Sequence, residues 1–282
     1  MIGLITDSTC DIPNDLIQQY GIAVLPCYII WGGKQYKDRV ELSPLDFYNR
    51  LKIDPTRPTT SQPTVGDFLD LYGEMIEKGF TELLVITISS AMSGTYMIAK
   101  NAAELVKCPV QVVDAKGPTM TLGWQVLVAA RAIEAGADMK TVLAEVEKAR
   151  SRMVQFVAME SMEYLQRGGR IGGAIKWVGS FLQIKPLVSI NHNTGLVEAE
   201  TIARSHKSLV DQMVKRFFSH LKTDHKLRIA VLHGNVQDKA KELARRIQEE
   251  YHPLELIINM TGPVLGNNTG PGALALCGYY ED

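Results

Sequence analysis

Leu83-Leu84-Val85-Ile86-Thr87-Ile88 is a run of branched, almost wholly apolar residues with no alternation in it. A strand wetted on one face alternates apolar and polar residues. A continuous run belongs to a strand buried on both faces, as in a parallel sheet covered by helices. This one segment therefore asks for helices on either side of it, and the flanking sequence provides them. Phe68, Leu71, Tyr72 and Met75 recur at helical spacing before it, and a helix to about Val106 follows the loop Ser89 to Gly94.

The same alternation of strand and helix extends in both directions. Ile2 to Thr6 is a short apolar run that ends in Asp7-Ser8-Thr9, followed by Pro13 at a helix start and Gly21 at its stop. Ile22 to Ile30 reads as a second strand closed by Gly32-Gly33, and Ser43-Pro44-Leu45-Asp46 as a capped helix start. Val110 to Val113 is another strand, and Thr119 to Arg152 holds two helices divided near Gly136. The first half is thus β-α-β-α, a doubly wound parallel sheet with right-handed crossovers.

The second half is less regular. Val154 to Met159 and Leu187 to Ile190 read as strands around a basic, glycine-rich segment, and Asn193-Thr194-Gly195 turns the chain into a strand from Leu196 to Ile202. Helix, strand (Leu227 to His233), helix and strand (Glu255 to Met260) come next. A glycine- and asparagine-rich loop, Gly266 to Gly272, precedes a last strand from Ala273 to Tyr280. The boundary between the halves is expected near residue 155.

Composition narrows the class. With 30 basic against 31 acidic residues the chain lacks the basic footprint of a dedicated nucleic-acid binder. Cys10, Cys27, Cys108 and Cys277 are scattered, without zinc spacing, as expected of idle thiols in a reducing compartment. The start, Met1 to Asp7, has neither a basic region nor a long apolar stretch, and Thr119 to Ala135 is interrupted by Gln125 and Arg131. Neither a signal peptide nor an integral membrane segment is expected, and the location expected is the cytoplasm.

Three hydroxyl-rich loops share one property. Asp7-Ser8-Thr9 follows a strand, Thr59-Thr60-Ser61-Gln62-Pro63 precedes a helix, and Ser89-Ser90-Ala91-Met92-Ser93-Gly94-Thr95 joins a strand to a helix. Ligands of open α/β sheets sit in the crevice outside the strand ends, and helix N-termini there favour an anion. Each loop taken singly is an ordinary set of helix caps, and the pattern does not name the anion.

Six motifs in order, namely Asp7-Ser8-Thr9, Thr60-Ser61-Gln62-Pro63, Ser89 to Tyr96, Tyr164 to Ile171, Lys185-Pro186 and Thr269-Gly270-Pro271-Gly272, resemble the DegV family over essentially the whole chain. The resemblance implies a two-domain α/β fold, with residues 1–155 supplying carboxylate-cradling loops and residues 156–282 closing a lipid tunnel under a mixed sheet. It implies a bound long-chain fatty acid, of the palmitate, stearate or oleate class, and no cofactor. It further implies that a separate fatty acid kinase receives the acyl carboxylate, so the chain itself is not an enzyme. By motif, Thr60 and Ser93 would bond the carboxylate with Ser61, Gly94 and Asn268 beside them, and Arg170 and Arg204 would face the kinase. Where the family usually carries a histidine this chain has Asn268, which donates a hydrogen bond but neither titrates nor bears charge.

Two other readings use the same loops. A serine hydrolase would take Ser93 as nucleophile and His233 as base, but Ser93 follows Ala91-Met92 and lacks the Gly-x-Ser-x-Gly elbow. A phosphate or nucleotide binder would need a phosphate loop, and Gly32-Gly33-Lys34 stands in the wrong context for one. Arg150, Arg152, Arg167, Arg170 and Lys176 read equally as a solvated face or a docking face, while Trp177 and Phe181 read as core.

Overall fold

In a computed structural model the described residues are 1–177 and 184–282. The expected core positions Trp177 and Phe181, and Lys176 of the basic cluster, lie outside the described side chains. The apolar runs form a parallel sheet in the order β2 (Ala23–Leu25), β1 (Ile2–Asp7), β6 (Glu82–Thr87), β7 (Val110–Asp114). Both its faces are covered, as the unbroken runs require. Ile5, Leu83 and Val85 pack against Phe68 and Tyr72 of α3 (Val65–Glu77) and Ala99 of α4 (Thr95–Ala103). On the other face Leu4, Leu84 and Ile86 meet Trp124 and Leu127 of α5 (Met120–Glu134). The helix α1 (Asn14–Gln19) links β1 to β2.

The second sheet is mixed, in the order β10 (Leu196–Ala203), β9 (Lys185–Asn191), β8 (Val154–Ala158), β13 (Leu274–Glu281), β11 (Lys226–His233), β12 (Glu255–Met260). Only β11 and β12 run parallel, and the remaining neighbours are antiparallel. Helices α8 (His206–Ser219) and α9 (Gln237–Tyr251) cover one face, where Phe217 and Leu243 meet Phe156, Ile229 and Leu276. The other face turns toward α5, beside which lies α6 (Met139–Arg150). Val157, Ala275 and Tyr279 thereby share a core with the first sheet. Helix α5 is thus a middle layer between two sheets, which is why its sequence is apolar nearly all round. Among the described residues no helix is long and apolar enough to cross a membrane.

Two expectations need correction. Ile22 to Ile30 is not one strand. Pro26 has no N–H to give a ladder, and the chain leaves β2 there to enter β3 (Tyr28–Trp31) in a separate antiparallel sheet, with β4 (Lys34–Lys37) and β5 (Thr59–Ser61) on either side. The glycine-rich segment before the last strand is not a loop throughout: Pro263–Thr269 is α10, opened by proline in its first turn and ended at Gly270 with φ 76°. Helix α2 (Pro44–Ile53) starts as read, with the Ser43 hydroxyl accepting the Asp46 amide at 3.1 Å, and α7 (Glu163–Gly168) packs against α10.

Candidate functional site

The first of the three loops is largely structural. It winds into a tight turn, and the buried Asp7 carboxylate accepts the Thr9 amide at 3.0 Å, the Thr9 hydroxyl, and the Ile88 amide at 2.8 Å. Burial pushes the Asp7 carboxyl above its usual range, and those donors oppose the shift. The Ser8 hydroxyl is likewise engaged: it donates to Asp38 at 2.6 Å and accepts the Cys27 amide at 3.0 Å. Only Thr9 of the three reaches the cavity described next.

That cavity, about 280 Å³, opens between the two sheets near the strand ends, close to the lower limit for small-molecule sites. Its interior is mostly apolar, with Ile88, Val157, Met159, Val188, Ile190 and Leu265 on its wall. Polar groups arrive from separate elements: Thr60 and Ser61 from β5, Gln62 from the loop after it, Ser93 from the β6–α4 loop, and Asn268 from α10. The β5–α3 connection is held by a capping box in which Thr64 accepts the Asp67 amide at 3.1 Å and Asp67 accepts the Thr64 amide at 2.7 Å.

Five of the seven residues expected at the site therefore line one cavity: Thr60, Ser61, Ser93, Asn268 and Arg170. Gly94 stands behind it. Its amide donates to Gln62 Oε1 at 3.2 Å, and a Cβ there would come within 2.8 Å of the Gln62 amide, which would have to swing aside. Arg204 is exposed just after β10 and does not line the cavity. Arg170, exposed, leans over the opening: its guanidinium donates to the Met92 carbonyl at 3.0 Å and to the Gly168 carbonyl at 2.7 Å.

The hydroxyls are not equally placed. Ser93 Oγ lies 2.9 Å from Thr95 Oγ1 and accepts the Thr95 amide at 3.3 Å, while Ser61 Oγ turns to the Gln62 carbonyl at 3.3 Å. Asn268 donates back to the Val264 carbonyl at 2.9 Å, so one of its two amide hydrogens is held by its own helix. The site offers uncharged donors with one guanidinium at the opening, a set suited to an anionic head group on an apolar body. The pairing of Ser93 with His233 is not made: His233 is buried, accepts the Val236 amide at 3.3 Å, and does not line the cavity. Among the described residues no group of three or more metal-ligating side chains occurs.

Sequence reasoning missed three lining or flanking residues. Arg57 shares with Thr60, Arg167 and Arg170 a smaller hollow, and its place in the Pro/Thr-rich loop gave no pattern to find it by. Thr119 and Gln155 also line the cavity. The signal for Gln155 was available: it is a polar residue at a core-facing position of an otherwise apolar strand.

A family model described as "Uncharacterised protein, DegV family" matches residues 1–281. The chain belongs to the DegV family. A DegV domain-containing protein of Listeria innocua is 32% identical over 276 residues, covering 98% of this chain and 97% of its own. Among solved structures, a DegV family protein of Thermus thermophilus described by its fatty acid binding is 32% identical, with a TM-score of 0.93 and 99% of each chain covered. Bacillus subtilis DegV, described as a fatty acid binding protein, matches with a TM-score of 0.91 at 27% identity over 99% of each chain. The architecture, a parallel sheet in the N-terminal region and a mixed sheet in the C-terminal region, is thus that of DegV structures.

Proposed function

We propose that this chain binds a long-chain fatty acid in the cavity between its sheets and presents the carboxylate to a separate fatty acid kinase, performing no chemistry itself. One observation carries the reading: Thr60, Ser61, Ser93 and Asn268, from three separate segments, meet on a cavity walled mainly by apolar side chains. A carboxylate is costly to bury unless several donors meet it, and bonds to an ionised group are the stronger kind. The tail supplies the affinity. About 14 methylenes at ~0.8 kcal/mol each set an upper figure of roughly 11 kcal/mol, which association and ordering reduce. The fatty acid binding described for the Thermus and Bacillus relatives supports the ligand class.

In this reading the unit expected over residues 1–155, ending at the start of β8, carries most of the cradle, and that over residues 156–282 adds Asn268 and closes the tunnel. Arg170 and Arg204, both exposed, form the docking contacts, and the protein works in the cytoplasm. Native mass spectrometry after bacterial expression tests it. A co-purified long-chain acid is expected, reduced in the Thr60→Ala/Ser93→Ala double variant. A nucleotide in its place, or unchanged lipid in the double variant, overturns the site. With kinase and ATP, Arg170→Ala should form less acyl phosphate per molecule of bound lipid.

A further inference from the structure

Strand β8 puts alternate residues on the cavity. Gln155, Val157 and Met159 line it, while Phe156 and Ala158 turn the other way into the core under α8. Ala158 pairs with Leu274 at the start of β13, and α10, which carries Asn268, ends only a few residues before Leu274, so Met159 lies toward the end where the head group is held. Gln155 lies four residues earlier, about 13 Å further along the strand. Val157, Val188, Ile190 and Val197 make up the apolar wall around it, and Val197 of β10 pairs with Ile190.

An unsubstituted alkyl chain needs nothing but apolar surface there. The cavity instead holds a polar pair. Gln155 and Thr119 are 1% and 5% exposed and both line it, and Gln155 Nε2 donates to Thr119 Oγ1 at 3.2 Å. Gln155 Oε1 accepts the Thr121 hydroxyl, which also lies 3.3 Å from Cys277 Sγ. In that arrangement the second Gln155 N–H and the Thr119 O–H have no acceptor among the described residues. With the amide turned over, Thr119 donates to Oε1 and Nε2 donates to Thr121, yet one N–H still remains. At least one buried donor is left over either way, and such groups are costly unless something meets them. Thr119 reaches this position with φ 55° and ψ −137°, a backbone state that a β-branched residue rarely adopts. A strained residue at a cavity wall points to a role in the cavity.

We propose that Gln155 and Thr119 are specificity-determining residues that select long-chain acids carrying an oxygen substituent, a hydroxyl or keto group, well along the acyl chain. This rests on the fatty-acid reading above and deepens it. The charged carboxylate goes to the open end, where Arg170 and the Thr60 and Ser93 hydroxyls stand. The deep end has only neutral donors, which suit a neutral oxygen. A plain chain strands the leftover donor, so an oxygenated acid of equal length and a matching substituent position should bind roughly 10- to 100-fold more tightly.

The test is competition for the delipidated protein between stearate and a set of 9-, 10- and 12-hydroxystearate and 10-ketostearate, read by native mass spectrometry. At least one oxygenated acid should displace stearate at a tenfold lower concentration. In Gln155→Leu the ratio of oxygenated-acid to stearate affinity should fall to about one, whatever the absolute affinities. If stearate binds and no oxygenated acid binds better, this inference falls and the fatty-acid reading survives. If no acid binds at all, both fall. A preference that persists unchanged in a folded Gln155→Leu variant also overturns it, and the wild-type ratio decides should that variant fail to fold.

Discussion

Asn268 Oδ1 occupies the space into which a side chain on Gly168 would grow, and a Cβ built on Gly168 would stand 2.9 Å from Asn268 Cγ. The last residue of α7 and the polar residue of α10 therefore fit only because one of them is glycine. Asn268 has little freedom to retreat, since its amide is held by the Val264 carbonyl. Gly168→Ala should cost about 1–2 kcal/mol by breaking that bond and shifting the helix pair. In an Asn268→Ala background the same change should cost almost nothing. A double-mutant cycle from urea denaturation measures the difference, and equal costs in both backgrounds would show that the two residues are uncoupled.

Thr60→Val keeps the shape of the side chain and removes its hydroxyl hydrogen. If that hydrogen meets an ionised carboxylate, its loss should weaken fatty acid binding roughly tenfold or more. Ser93→Ala carries a second consequence, because Ser93 Oγ also receives the Thr95 amide at the start of α4. It should lower both affinity and thermal stability, the latter by about 1 kcal/mol. Titration with palmitate alongside thermal denaturation separates the two effects. Undiminished affinity in Thr60→Val would remove that residue from the site.

The parallel sheet was legible because its evidence is local: each buried strand announces itself as a run of branched apolar residues, and Leu83 to Ile88 does so without help from its neighbours. The small antiparallel sheet was not. Thr59–Ser61 is three polar residues with no period to read, and what makes it a strand is pairing with Tyr28–Trp31 across some thirty residues of chain. Helix α10 was hidden by its glycines and asparagines, although Pro263 stood where a helix begins. The convergence of Thr60, Ser93 and Asn268 is set by tertiary folding. In the sequence it was visible only through resemblance to a family, not through spacing.

A buried ion pair ties the first turn of the chain to the segment before α10. Arg39 bonds Asp11, which is fully buried, and also donates to the Met260 carbonyl at 3.1 Å, while Asp11 accepts the Gly262 amide at 3.0 Å. Removing one partner strands the other charge, so Arg39→Ala should destabilise the protein by about 3–5 kcal/mol. Replacing both, as Asp11→Asn with Arg39→Met, should cost less than Arg39→Ala alone. Chemical denaturation of the three proteins decides, and a double variant worse than Arg39→Ala would contradict the stranded-charge account.

Asp38 should make stability depend on pH in the unusual direction. Burial pushes its carboxyl up to about 7, against Arg39 and the Ser8 hydroxyl, which act to lower it, and with Asp11 adding to the rise. Its Oδ1 has no hydrogen-bond partner among the described residues, so Arg39 and the Ser8 hydroxyl offset a charge there only in part. The folded protein thus holds a proton that the unfolded chain releases near 3.8. The stability this proton contributes is fully present below about pH 4 and is lost as pH rises toward 7. Carboxylates held low by their donors, such as Asp67 and Asp114, act in the opposite sense below that window. Asp38→Asn still accepts the Ser8 hydroxyl but cannot ionise. Its denaturation midpoint should therefore lack the fall between pH 5 and 7 and should exceed that of the native sequence at pH 8. The difference in slope should approach about 1.4 kcal/mol per pH unit, the value for one proton. Midpoints for the two proteins that run parallel from pH 5 to 8 would mean that Asp38 is ionised in the folded state throughout.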